Sequence, residues 1–300
     1  MENLITLGKR IYDTGNPREV HRLIVFLGRA ILHYGEIKRL YSFFMKNKEL
    51  EELFRINPFP MEQATRAFFY NKATFTERCN LIENHFDYMQ ALLQPDWTKK
   101  LSSTKEAYKI WQSAETDIDW NAQLKFNGGQ RKEGLMSVNM YLGVHPIYQI
   151  MFWFNTDKNG EPSMWIGAMQ GPNLDNSREI IKDITKRSFR YRTKNLILYM
   201  TMAVARAFKV KHIYAVSNEG YYANNHVRKD RKLKTDFGEF WLEAGGRVTD
   251  DFRFYEIPLI EPRKTMEEVP TRKRAVYRKR FAFQDDVDRQ IASNMEKILK

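Results

Sequence analysis

The chain is 300 residues long, 43% hydrophobic and 14% aromatic, which is enough to fill a packed core and excludes a disordered chain. Its net charge of +12 predicts partners of the polyanion class: nucleic acid, anionic lipid headgroups or a phosphate-bearing cofactor. A single cysteine, Cys79, excludes an internal disulfide framework and fits a reducing compartment.

The opening MENLITLGKR carries Glu2 and no long apolar run, so it does not read as a signal peptide. The longest oily stretch, 23–32, is interrupted by Arg29 and is about half the roughly 20 residues that a membrane span requires. A soluble, cytoplasmic protein is expected, with or without peripheral contact with the inner membrane.

Residues 1–100 read as helical. Asn16 and Pro17 suit a helix start, and Leu23, Ile24, Phe26, Leu27, Ala30 and Ile31 follow at near-helical spacing. Gly35 is expected to end that helix. Ile37, Leu40, Tyr41 and Phe44 form a second apolar face, and the Pro58 and Pro60 pair breaks the chain. Thr74-Phe75-Thr76-Glu77 spells a capping box for a helix running to about Leu93. His85, on that helix, reads as a packed or exposed helix residue, not a ligand. Pro95 marks a boundary, after which the pattern turns strand-like.

Short strands are predicted at 124–126, 135–142, 147–154 and 164–169, with Asn127-Gly128-Gly129 and Asp157-Lys158-Asn159-Gly160 as turns. The last three should form an antiparallel meander. The run IMFWF at 150–154 is too apolar for a one-sided sheet and predicts a central strand covered on both faces. Two helices follow, at about 177–188 and 193–208, and then a strand at 212–216. Strand, helix, strand is the βαβ crossover of an α/β sheet, so 164–169 and 212–216 should be neighbouring parallel strands. A short helix at 236–244 stops at Gly245-Gly246. A strand at 252–257 and a basic helix at 272–299 close the chain. The stripe Val276, Phe281, Phe283, Val287, Ile291, Met295 and Ile298 should dock that helix on the core.

Ligands of open α/β sheets sit beyond the carboxyl ends of the strands. Gln170, Gly171, Ser217, Asn218 and His226 are therefore expected to converge on one concave site. Gln170 and Gly171 either contact a ligand or make the turn that leaves the strand. Ser217 and Asn218 either orient a substrate carbonyl or cap the following loop. His226 is the general-base candidate, though no acid at a defined spacing orients it, and Tyr222 the acid to a leaving thiolate. Arg190, Arg192 and Lys194 precede a helix start, where dipole and side-chain charge both favour an anion. The basic runs 186–194, 228–234 and 272–280 read as solvated surface or as part of an anion site. No CxxC or HExxH spacing is present, so no metal is expected.

The strings GAMQGP (167–172), YAVSN (214–218), His226, FWLEAGG (240–246), KRAVYRKRF (273–281) and TFTERCNLIENHFDYM (74–89) resemble the bacterial VirK/YbjX family. The resemblance spans roughly residues 20–295. It implies a link to enteric virulence, surface placement of an outer-membrane protein and tolerance to antimicrobial peptides. Residues 133–258 show a weaker resemblance to the acyl-CoA N-acyltransferase (GNAT) fold. That likeness implies that the two parallel strands splay, that pantetheine lies between them, and that the cofactor is acyl-CoA. The expected fold is α+β: a helical N-terminal region (1–100), a mixed GNAT-like sheet domain with a βαβ crossover (101–261), and a basic C-terminal helix packed on the core (262–300). The expected function is an envelope-linked protein that binds an anionic, phosphate-bearing ligand and acts as an acyl-CoA-dependent acyltransferase. The alternatives are a non-enzymatic basic adaptor at the inner membrane surface or on a protein partner, and a non-specific nucleic-acid binder.

Overall fold

Asn3, Asn16, Asn47 and Thr74 cap four of the helix starts in the N-terminal third. The computed structural model describes residues 3–224 and 236–300. Helices α1 (Leu4–Ile11), α2 (Pro17–Leu32), α3 (Tyr34–Phe44), α4 (Lys48–Ile56), α5 (Phe59–Thr65), α6 (Phe75–Leu92) and α7 (Pro95–Ser102) follow one another closely. Asn16 caps α2 by accepting from the Arg18 N–H at 3.0 Å, with Pro17 at the first helical position. Thr74 and Glu77 complete the capping box of α6. Two expectations are corrected here. Gly35 does not end α2, which stops at Leu32; it lies inside α3. Pro95 does not end the helical region either. It opens α7, where its missing N–H has no intrahelical partner to lose.

The strands β1 (Tyr108–Gln112), β2 (Trp120–Lys125), β3 (Met136–Leu142), β4 (His145–Thr156), β5 (Pro162–Gln170), β6 (His212–Val216), β7 (Arg247–Val248) and β8 (Phe254–Ile257) form one sheet. Their spatial order is β1-β2-β3-β4-β5-β6-β8-β7. β1 to β5 are an antiparallel meander, and β5 pairs parallel with β6 from Ser163 opposite His212 to Ile166 opposite Ala215. The crossover between them carries α8 (Ser177–Arg187) and α9 (Thr193–Ala207), as the βαβ pattern predicts. α10 (Phe237–Glu243) leads to β7, and β8 returns between β6 and β7. Gly245 ends that helix with φ +85°, a left-handed conformation suited to glycine.

Residues 150–154 of β4 are all buried, with neighbours on both edges of the strand. The pairing of β4 with β5 slips by one residue at Gly167, which is the extra residue of a bulge. A Cβ at Gly167 would lie 1.9 Å from the Glu133 carbonyl oxygen, so only glycine fits. β3 stops at Met136 opposite Phe152, and the Phe154 N–H instead donates to His85 Nδ1 on α6 at 3.1 Å. Burial lowers the pKa of His85 to about 3, so the ring is neutral and its Nδ1 accepts. His85 is a packed structural residue.

α11 (Arg274–Glu296) lies on α9 and on β1. Val287, Ile291 and Met295 are fully buried, whereas Phe281 and Phe283 are half-buried. Gln290 both accepts from the Gln112 N–H and donates to the Gln112 carbonyl, each at 3.1 Å, and Asn294 donates to the Ile110 carbonyl at 3.0 Å. The helix thus covers the edge of β1, which would otherwise present unpaired backbone groups. The last residues return to the N-terminal helices, where the Lys300 N–H donates to the Leu92 carbonyl at 2.8 Å.

Candidate functional site

A cleft of about 920 Å³ opens between the N-terminal helices and the sheet. Its walls are α2, α5 with the loop that follows it, the loop before β3, and the residues after β6. Arg22, Arg29, Arg66, Lys72, Arg131 and Lys132 line it, with Glu62 as its acid and Tyr222 at its side.

Glu62 holds two of these cations, Arg66 and Arg131. It sits on α5, 1% exposed, and its Oε2 accepts from Arg131 Nε at 2.7 Å. Arg66, four residues on, holds its Nε 3.6 Å from Oε1. Arg131 is fixed further by donating to the Gly128 carbonyl at 2.8 Å and by lying 4.5 Å over the Phe59 ring. Gln63 pins the same loop through the Arg131 and Gly134 carbonyls at 2.7 and 3.0 Å. Arg29 donates to the Thr65 carbonyl at 3.2 Å, and its pKa is lowered by burial and then by the like charge of Arg66. Two guanidiniums, Arg66 and Arg131, therefore share one carboxylate, and Arg29 stands beside them on the Thr65 carbonyl. The surplus positive charge in a concave, partly dehydrated site favours an anion with several acceptor oxygens.

The residues singled out in the sequence lie in separate groups. Gln170 accepts from Gln149 at 3.1 Å and donates to Gln130 at 2.8 Å, and a Cβ on Gly171 would meet the Tyr148 ring at 3.3 Å. This pair thus sits on the β4 side of β5. Ser217 Oγ accepts from the Gly220 N–H at 2.9 Å, while Asn218 bridges to Asp236 and to the Phe237 N–H at the start of α10. These two residues shape the loop on the β8 side of β6. Arg192 and Lys194 share Glu243, at 3.2 and 3.4 Å. Arg190 has φ +62°, and its carbonyl accepts from Arg280 at 3.0 Å. Among the described candidates, Tyr222 alone lines the basic cleft. His226 and the basic run 228–234 lie outside the described residues.

A second feature adjoins the cleft. Glu133 follows the lining residues Arg131 and Lys132 but turns inward, 2% exposed, and Tyr221 OH donates to its Oε1 at 3.0 Å. Burial raises its pKa from 4.5 to about 7. The carbonyl of this residue is the one packed on Gly167, the first residue of β5 beyond its pairing with β6. Between pH 4.5 and 7 the folded chain holds a proton that the unfolded chain has lost, so stability falls as pH rises through that window. Glu133→Gln is expected to flatten this fall and to add up to about 3 kcal/mol above pH 7, read from denaturant melts across pH.

The family model for DUF535, a protein of unknown function, matches residues 15–293. The protein YbjX of Escherichia coli is 31% identical over 150 residues, which is 49% of this chain and 45% of that relative. A protein of Haemophilus influenzae is 22% identical over 271 residues, covering 89% and 87% of the two chains. The membrane protein LapB of Mannheimia haemolytica is 24% identical over 161 residues, covering 53% and 66%. No solved structure matches significantly. Among the described residues no helix is long and apolar enough to cross a membrane. The match along most of the chain, with YbjX among the similar proteins as the VirK/YbjX resemblance implies, places this protein in the DUF535 family.

Proposed function

We propose that this protein binds an anionic, phosphate-bearing ligand in the cleft between α2, α5 and the loop before β3, in work linked to the bacterial envelope. The observation that carries the reading is the pair Arg66 and Arg131 held on the carboxylate Glu62, with Arg29 lining the same cleft from the Thr65 carbonyl. The similarity to a relative named a membrane protein supports the envelope setting. Titration with inorganic pyrophosphate tests the site. Arg66→Ala with Arg131→Ala is expected to weaken binding at least tenfold and to reduce its salt dependence. Arg192→Ala with Lys194→Ala should change little, because both side chains already pair with Glu243. Equal losses from the two pairs of substitutions would mean a general charge effect and would remove the cleft from consideration.

A second reading keeps acyl transfer, with acyl-CoA as the phosphate-bearing ligand and Glu133 as the group that takes the acceptor's proton. The parting of β5 from β6 at Gly167 and the near-neutral pKa of Glu133 support it. Native mass spectrometry after mild purification should then detect bound acyl-CoA, and Glu133→Gln should keep the ligand but lose turnover. Binding without turnover in the native protein would favour the adaptor role.

A further inference from the structure

α2 turns two unlike surfaces to solvent. Leu23, Phe26 and Ala30 face the core. Ile24, Ile31 and Leu32 are 63%, 65% and 81% exposed, and Tyr34 at the start of α3 is 48% exposed. At 3.6 residues per turn Ile24, Gly28 and Ile31 stack along one line, with Val25 and Leu32 beside them. The same solvent arc ends at Arg22 and Arg29, which line the cleft. Of the acids near this surface, Glu19 pairs with Arg22, and Glu36 lies 3.6 Å from His33. Single exposed apolar residues need no explanation, but these lie on one face of a helix that also lines a cation-rich cleft.

Apolar side chains beside arginines suit the boundary between headgroups and acyl chains, where the apolar tips enter hydrocarbon and the guanidiniums meet phosphate. We propose that the cleft takes the phosphate headgroup of an anionic lipid while the Ile24–Ile31–Leu32 ridge of α2 rests in the bilayer surface. This rests on the phosphate-binding reading above and names the source of the phosphate. A ridge of this size gives reversible docking, not permanent anchoring.

The test is co-sedimentation of the full chain with vesicles of phosphatidylcholine, with and without phosphatidylglycerol, beside calorimetry with soluble glycerol phosphate. The native protein is expected to prefer the anionic vesicles. Ile24→Ser with Ile31→Ser and Leu32→Ser should weaken vesicle binding about tenfold or more while leaving glycerol phosphate affinity unchanged. Arg66→Ala with Arg131→Ala should weaken both. The single Ile31→Asp should act in the same direction as the serine variant with the least change to the helix. If the serine and aspartate variants bind vesicles like the native chain, the lipid inference fails and the cleft reading stands. It fails in the same way if glycerol phosphate binds and anionic vesicles do not. If neither vesicles nor glycerol phosphate bind, the phosphate-binding reading itself is lost. Vesicle binding weakened as much by Arg192→Ala with Lys194→Ala would show attraction to net charge and overturn the inference.

Discussion

A chain ended at Pro262 is expected to lose its cooperative unfolding transition and to aggregate. The cut removes α11, whose Val287, Ile291 and Met295 are fully buried, and Ile298, which is buried just beyond it. At about 1.5–3 kcal/mol for each side chain, these four alone contribute about 6–12 kcal/mol, which is comparable to the whole stability of an ordinary domain. Two further losses act in the same direction. Trp111 and Trp120, both 1% exposed, would lose the Phe283 ring packed against them. β1 would lose Gln290 and Asn294 from its outer edge and present unpaired backbone groups to other chains. Circular dichroism melts and light scattering read the result. A shortened chain that melts like the full one would make the tail a detachable arm.

The core of the sheet was legible because its strands are either strongly apolar or bounded by clear turns. β4 is the best case: its run of large apolar residues demands cover on both faces, and the structure provides it. β1 was not legible. Its pairing with β2 shifts between Lys109 and Trp111, so Ile110 and Trp111 are buried side by side and the two-residue period is lost. β7 is two residues long and carries no pattern at all. Gly35 and Pro95 misled for a simpler reason. Either residue can stand just inside a helix start as well as beyond a helix end, and local sequence does not say which.

Charge was visible in the sequence, but its use was not. The run 186–194 reads as an excess of cations, yet Arg187 meets Glu115, Asp117 and Asp183, and Arg192 and Lys194 meet Glu243. In the tail, Arg280 donates to the Phe189 and Arg190 carbonyls, and Arg274 to the Val269 carbonyl. Most of these partners lie far away in the chain, so a count within a short window overstates the charge left for a ligand. The cleft shows the reverse case. Arg29, Glu62, Arg66 and Arg131 span about a hundred residues, and no short motif joins them. The one local trace is the spacing of Glu62 and Arg66, which alone would pass for an ordinary helix ion pair. Glu133 carried no trace, because its environment depends on Tyr221 and Gly167, both brought near by the sheet.

Glu62→Gln is expected to be the most damaging single change in the cleft, and one that anions repair. The substitution keeps the size and an acceptor oxygen but removes the negative charge that Arg66 and Arg131 share. Breaking a fully buried pair costs about 3–5 kcal/mol; Arg66 and Arg131 are 22% and 18% exposed, so water screens part of this and about 2–4 kcal/mol is expected. The remaining repulsion among Arg29, Arg66 and Arg131 is then available to a bound anion. Pyrophosphate should raise the melting temperature of the variant by more than it raises that of the native protein. A ligand at free concentration L that binds only the folded state stabilises by RT ln(1 + L/Kd), which grows as the site binds more tightly. Salt without specific affinity, such as sodium chloride at matched ionic strength, should restore only a small part. Differential scanning fluorimetry across a pyrophosphate series gives both numbers. A variant as stable as the native chain, with equal shifts for both proteins, would mean that Glu62 does not organise the cleft. A variant that is destabilised but gains nothing from pyrophosphate would leave Glu62 a structural role and take the anion site away.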